Sequence, residues 1–288
     1  MMRSGRLVAL SAAAALVLSA CGGAESGIPK VDPGDFPADS TMAQLAQAET
    51  ITIGTTFDVP LFGHLTDEGT LEGFDVEIAT IIASELGIAP DQITWVETLA
   101  SNRALFIEGG QVDIAVATYT INDERKQTVS FAGPYYIAGQ ALMVRSSNDE
   151  VTGPEDLAGL TVCTVEESTP AEYVRTNYPS ATLVLFGSSA DCLEPLRRGD
   201  VDVVTTDNVI LAGYLDQLDG EFAMVGDAFT EEPYGIALDR EDTEFRMWIN
   251  DVLEQAYDDG RWLEAWRSTA GTVLPEHSPP AVDRYELG

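Results

Sequence analysis

Apolar and polar positions along this chain alternate between two periods. ITIGTTF at 51–57, QITWVE at 92–97 and VDIAVA at 112–117 are short, largely apolar runs bounded by turn residues, and they predict strands. Between the first two, Phe74, Ile78, Ile81, Ile82 and Leu86 fall on one helical face, and Gly87 stops the helix. Ser101 is the expected cap of a further helix over 102–108, which ends at Gly109 and Gly110. A second set of the same elements follows. LTVCTV at 160–165 and TLVLF at 182–186 read as strands. Helices are expected from Pro170, over 189–198 and from Asp207 to Leu218.

The two sets share a repeated phrase. Residues 109–118 read GGQVDIAVAT and residues 198–207 read RGDVDVVTTD. Gly110 matches Gly199, Asp113 matches Asp202 and Thr118 matches Asp207, each pair 89 residues apart. A single long period predicts two similar lobes and not a repeat array. Each copy reads as helix, Gly cap and buried parallel strand, so the fold class is α/β. Ligands of open α/β sheets bind at the carboxyl ends of strands. Thr118 and Asp207 stand at those ends and face one gap, whereas Asp113 and Asp202 read as structural turn residues.

The order of elements sets the expected domains. Lobe one comprises 50–143 and 235–270, and lobe two comprises 144–234. YIAGQALMVR at 136–145 carries the chain out and YGIAL at 234–238 brings it back. The helices at 243–259 and 261–270 then return to lobe one. A chain that crosses twice forms a two-strand hinge, which permits opening and closing. Residues 271–288, with Pro275, Pro279 and Pro280, read as an irregular tail.

The N-terminal segment has a different character. Arg3 and Arg6 precede the apolar stretch LVALSAAAALVL at 7–18, which ends in LSAC. This is the pattern of a lipoprotein signal peptide over 1–20, with Cys21 as the lipid-bearing residue. Gly, Pro, Ala and Asp dominate up to residue 49, and 21–49 read as a flexible tether. These features place the protein at the extracytoplasmic face of the cell membrane, held by a lipid anchor. In that oxidising setting Cys163 and Cys192 form a candidate disulfide, the alternative being two buried thiols.

Charge excludes one partner class. The formal net charge is −33, with 2 Lys against 13 Arg, so nothing could neutralise the phosphates of a nucleic acid. One cluster of side chains carries chemistry. TYTINDER, Thr118 to Arg125, leaves the strand end and enters a turn capped by Asn122. Its hydroxyls, free N–H groups and the Arg125 guanidinium suit a carboxylate. Across the gap, Ser168-Thr169-Pro170 opens a helix whose N-terminus attracts anions. Asp207 offers a charge for an ammonium. A carboxylate holder facing an ammonium holder specifies an α-amino acid.

TINDERKQTVSFAGPYY resembles the signature of the polar-amino-acid solute-binding proteins of bacterial ABC importers. GFDVEIA at 73–79, the repeated GxVD and YGIAL add to the resemblance, which covers about 50–268. Within that family CTVEESTPAE, Cys192 and VTTDNVILAGY are similar to the glutamate-binding lipoproteins of actinobacteria. The resemblance implies a Venus-flytrap fold of the periplasmic-binding-protein kind with two hinge crossings. It implies that Arg125 pairs the ligand α-carboxylate with help from Thr120 and Thr169, and that Thr118, Thr120 and Asp207 hold the ammonium. Arg103 matches a position that reaches an acidic ligand side chain, the alternative being a surface or structural Arg. Thr56 stands where some acidic-amino-acid binders carry Lys, which leaves glutamine, aspartate and asparagine open beside glutamate.

The expected partners are therefore an amino-acid ligand, an ABC permease and the lipid anchor, with no cofactor. An enzyme of dehydratase type on the same fold is the rival reading. Against it, His64 lies in a loop and His277 in the tail, and the cysteines are accounted for. Neither a metal cluster nor a nucleophile–base pair is visible. A sensory ligand-binding module is a third reading and needs a separate signalling partner.

Overall fold

A computed structural model describes residues 31–218 and 220–286. The expected signal peptide and the expected lipid-bearing Cys21 lie outside these residues. In chain order the first elements are α1 (Thr41–Ala48), β1 (Ile51–Thr55), β2 (Asp58–Val59), β3 (Gly63–Leu65), β4 (Leu71–Glu72), α2 (Phe74–Glu85), β5 (Ile93–Glu97), α3 (Arg103–Glu108), β6 (Ile114–Thr120), β7 (Ser130–Ala138) and β8 (Gln140–Arg145). Then follow β9 (Thr161–Val165), α4 (Thr169–Asn177), β10 (Thr182–Phe186), α5 (Leu193–Arg198), β11 (Val203–Asp207), α6 (Asn208–Gln217), β12 (Phe222–Val225), β13 (Glu232–Leu238), α7 (Thr243–Asp259) and α8 (Arg261–Ser268).

The strands form two five-stranded sheets, ordered β5-β1-β6-β13-β7 and β10-β9-β11-β8-β12. In each, three strands run parallel and the last two are joined by antiparallel pairing. The parallel core follows from the sequence. β6 and β11 are buried along their whole length, as an apolar run covered on both faces must be. The repeated aspartates fix the register. Asp113 accepts a hydrogen bond from the Thr52 N–H at 2.7 Å, and Asp202 accepts one from the Thr161 N–H at 2.8 Å. Each pins the last parallel strand to the start of its neighbour. Before them Gly110 and Gly199 end the helical segments at φ 63° and 77°, which favours glycine.

The fourth strand of each sheet comes from the other lobe's run of chain. β8 enters sheet two straight after β7 has left sheet one, and β13 enters sheet one after β12. The outward crossing therefore lies at Gly139, and the expected boundary at 143/144 falls inside β8. The return is complete at Glu232, ahead of the expected 234/235. Both flanking strands are apolar and buried, so periodicity carries no mark of the switch. Gly139 does mark it physically. A Cβ there would sit 2.6 Å from the Thr230 carbonyl oxygen, because the two crossings touch at this point.

Lobe one owes its core to α7 and α8 as well as to its sheet. Phe74 on α2 meets Trp262 and Trp266 edge-on, with ring centroids 5.4 and 5.2 Å apart. In lobe two Cys163 and Cys192 form a disulfide inside a core of Val204, Leu196 and Phe222. The tail after residue 272 is irregular but docked: Tyr285 accepts a hydrogen bond from the Phe131 N–H at 2.8 Å.

Two local expectations need correction. Residues 41–48 do not belong to a flexible tether. Ser40 caps α1, and Met42, Leu45 and Ala46 bury its inner face in lobe one. Met42, Leu45 and Ala46 stand at helical spacing behind Ser40, but the Gly, Pro and Asp of 22–39 dominate the composition of the segment. Helix α3 begins after Asn102, not Ser101, because the Asn102 side chain turns back to accept from the Leu99 N–H.

Candidate functional site

The order β5-β1-β6 reverses direction between β1 and β6, and β10-β9-β11 does so between β9 and β11. Such switch points open a crevice beyond the strand ends. The two crevices face each other and enclose a cavity of about 60 Å³. All eight sequence-predicted residues line it. Lobe one gives Thr56, Arg103, Thr118, Thr120 and Arg125, and lobe two gives Ser168, Thr169 and Asp207. The lobes are closed on it. Ser188 of lobe two bonds Asp58 of lobe one, the Tyr214 hydroxyl donates to the Asp58 carbonyl at 3.1 Å, and Arg125 donates to the Glu167 carbonyl at 3.3 Å.

Strand β6 does not stop at Thr118, as the sequence suggested, but runs to Thr120. Thr118 bends it from within, at φ 45°, a left-handed conformation rare for a branched residue. The facing pairing with β13 slips at the same place, between Gly235 and Ala237. Irregularities of this kind re-aim side chains beside functional sites. A buried carboxylate holds the bend: Asp75 accepts from the Thr118 N–H at 2.8 Å and from the Tyr135 hydroxyl at 2.6 Å. Burial pushes the Asp75 carboxyl up to about 6.

Two guanidinium groups mark one side of the cavity. Arg125 is oriented by Asn122, whose side chain accepts from the Arg125 N–H at 2.8 Å, and by the Thr120 carbonyl, which accepts from Nη1 at 2.7 Å. Arg103 is buried, at 5% exposure, so the surface alternative for it is excluded. Its Nη1 donates to the Ala117 carbonyl at 2.8 Å, and its Nε has no partner. Burial and then the neighbouring Arg125 push Arg103 down to about 9. Two neighbouring cations, one buried and one half-buried, call for an anion.

The opposite charge comes from lobe two. Asp207 is buried at the N-terminus of α6 without capping it. The Tyr234 hydroxyl donates to its Oδ2 at 2.6 Å, and Oδ1 has no partner. Burial, then the nearby Glu232 carboxylate, raises Asp207 to about 7. Ser168 caps α4 by accepting from the Ala171 N–H at 3.2 Å, and the Thr169 hydroxyl donates to Glu232 at 2.7 Å while lying 3.5 Å from that of Thr120. On the remaining wall Thr56 donates to the Gly63 carbonyl at 3.1 Å.

Sequence reasoning missed several residues. Asp58, Leu99, Ser188 and Ser189 also line the cavity, while Asp75, Tyr234 and Glu232 support it from behind. The repeat held a signal for some of them: a step of 89 residues carries Leu99 and Ala100 onto Ser188 and Ser189.

Two α/β lobes joined by two crossings, closed on a charged cavity, define a two-lobed binding protein. Residues 51–267 match the family of bacterial extracellular solute-binding proteins, family 3, and the chain belongs to it. It is similar to the glutamate-binding protein GluB of Corynebacterium efficiens, with 38% identity over 290 residues covering 95% of each chain. It is similar also to the glutamine-binding protein GlnH of Bacillus subtilis, at 32% identity over 91% of this chain and 94% of that one. Among solved structures, an ancestral arginine-binding protein bound to glutamine superposes with a TM-score of 0.73. That pair shares 32% identity over 77% of this chain and 97% of the other. Among the described residues no helix is long and apolar enough to cross a membrane.

Proposed function

We propose that the protein captures an α-amino acid, glutamate foremost, between its lobes and delivers it to an ABC permease. One observation carries this reading. A single cavity holds two guanidinium groups from lobe one and an unpartnered carboxylate oxygen from lobe two. An α-amino acid brings a charge for each side. Arg125 takes the α-carboxylate, with the Thr120 and Thr169 hydroxyls beside it, and Asp207 takes the ammonium with Thr118 and Thr120. Ser168 positions the α4 N-terminus toward the same carboxylate. Burying a zwitterion is expensive unless every charge is paired, and only the closed form pairs both ends. Closure is thereby tied to the right ligand.

The second carboxylate of glutamate suits Arg103, whose place inside the cavity favours an acid over an amide despite Thr56. The names of the relatives agree with this range, since they bind glutamate and glutamine. A lipid on Cys21 holds the protein at the extracytoplasmic membrane face, beside its permease.

Isothermal calorimetry with the twenty amino acids on delipidated protein tests the proposal. Glutamate is expected to bind near micromolar strength, about −8 kcal/mol, and Arg125→Ala to bind no amino acid measurably. Near-normal affinity in that variant would overturn the assignment.

A further inference from the structure

Strand β6 builds a cradle for two cations within four residues. The Ala117 carbonyl accepts from Arg103 and the Thr120 carbonyl accepts from Arg125. Between them Tyr119 presents its ring to both. The Arg103 guanidinium carbon lies 3.6 Å from the ring centroid and that of Arg125 lies 4.8 Å from it. The ring is fixed. It is 4% exposed, and it meets Phe131 edge-on at 4.9 Å. It pairs in register with Gly235 of β13, where a Cβ would collide with Ile121 at 2.6 Å.

We propose that Tyr119 is the positioning residue that sets the preference for a dicarboxylic amino acid over its amide. The inference rests on the reading of the cavity as an amino-acid site. An aromatic face carries negative electrostatic potential, and it attracts a cation most when both are out of water. Arg103 and Arg125 repel each other, and no carboxylate lies within salt-bridge distance of either among the described residues. Tyr119 offsets that repulsion without neutralising either charge. A carboxylate of its own in that place would hold the pair as well, but it would cancel the field that an acidic ligand needs. The ring therefore keeps two formal positive charges side by side and available. A ligand with two carboxylates meets both. An amide meets the second guanidinium with a weaker, neutral acceptor.

Alternation along β6 sets this arrangement. In a strand successive side chains point to opposite faces. Thr118 and Thr120 line the cavity, and Tyr119 between them packs on Phe131 and meets both guanidinium groups.

Calorimetry with glutamate and glutamine on the full mature chain tests the proposal through a ratio of affinities. Wild type is expected to favour glutamate at least about tenfold. Tyr119→Leu is expected to lower glutamate affinity about 10- to 30-fold with little change for glutamine, which brings the ratio near one. Tyr119→Phe keeps the face and restores the ratio. Replacing Tyr119 by phenylalanines of increasing fluorination keeps the shape and removes the negative face, so the ratio should fall stepwise, even if the leucine variant fails to fold. A merely structural role would lower both affinities together. A ratio unchanged across the fluorinated series, with wild-type selectivity intact, overturns the role of the ring. A wild-type chain that binds no amino acid overturns the underlying reading instead.

Discussion

Tyr234, on a strand of sheet one, donates its hydroxyl proton to Asp207, at the end of a strand of sheet two, across 2.6 Å. The bond joins the lobes at the cavity wall and fixes one oxygen of the carboxylate while the other stays free. Asp207→Asn keeps the shape and removes the charge. We expect glutamate affinity to fall roughly 100-fold, on the order of 3 kcal/mol, as for a desolvated charge that loses its partner. The ligand-free protein should melt higher, because a buried carboxylate without a cation is gone. Calorimetry and thermal melting of the same sample check both signs.

The pH response follows from Asp207 and Asp75. Their folded values stand near 7 and 6, against 3.8 for the ordinary group, and burial raises both. Between about pH 4 and 7 the native state holds protons that the unfolded chain has released. Ligand-free stability from these groups therefore falls as pH rises through that window. Ligand affinity moves the other way, since an ammonium pairs only with ionised Asp207. Melting curves from pH 4.5 to 8 should show a falling ligand-free midpoint and a growing shift with saturating glutamate. Asp207→Asn should flatten the ligand-dependent trend.

The repeated aspartates give a prediction about stability alone. Asp113→Ala and Asp202→Ala each leave a strand-start N–H, of Thr52 or Thr161, without its charged acceptor. Each variant should lose on the order of 2 kcal/mol in urea unfolding. Glutamate affinity should stay within about threefold of wild type. A large loss of binding without a loss of stability would contradict the structural role.

Helix α1 gives another. A chain beginning at residue 49 loses Met42 and Leu45 from the core of lobe one, where they are 2% and 8% exposed. The loss should be on the order of 3–5 kcal/mol by their apolar burial. Urea unfolding measures it, and ligand binding, which lies elsewhere, should persist.

The parallel strands were legible because buried strands between helices leave apolar runs, of which IAVAT is one, and VVTTD was read as its copy in the repeat. Thr118 and Asp207 were legible because the repeat put a polar stop at matching points, and Arg125 follows Thr118 in the same polar run. Asp75 was not, since a carboxylate on an apolar helix reads as a surface residue, and only the Tyr135 and Thr118 contacts give it a role. Tyr119 was hidden in the same way, as one more apolar position of β6. The crossing at Gly139 had no period to betray it.

Because each sheet takes its fourth strand from chain that has just left the other, the lobes are braided and not merely hinged. Cutting the polypeptide at Gly139 would leave residues 31–138 with a slot between β6 and β7, the place that β13 fills. Neither half is an independent module. The segment that fills the slot also carries Tyr234, so the strand that completes one lobe brings with it the grip on the other lobe's charge. Recombination by exchange of whole lobes would break both at once.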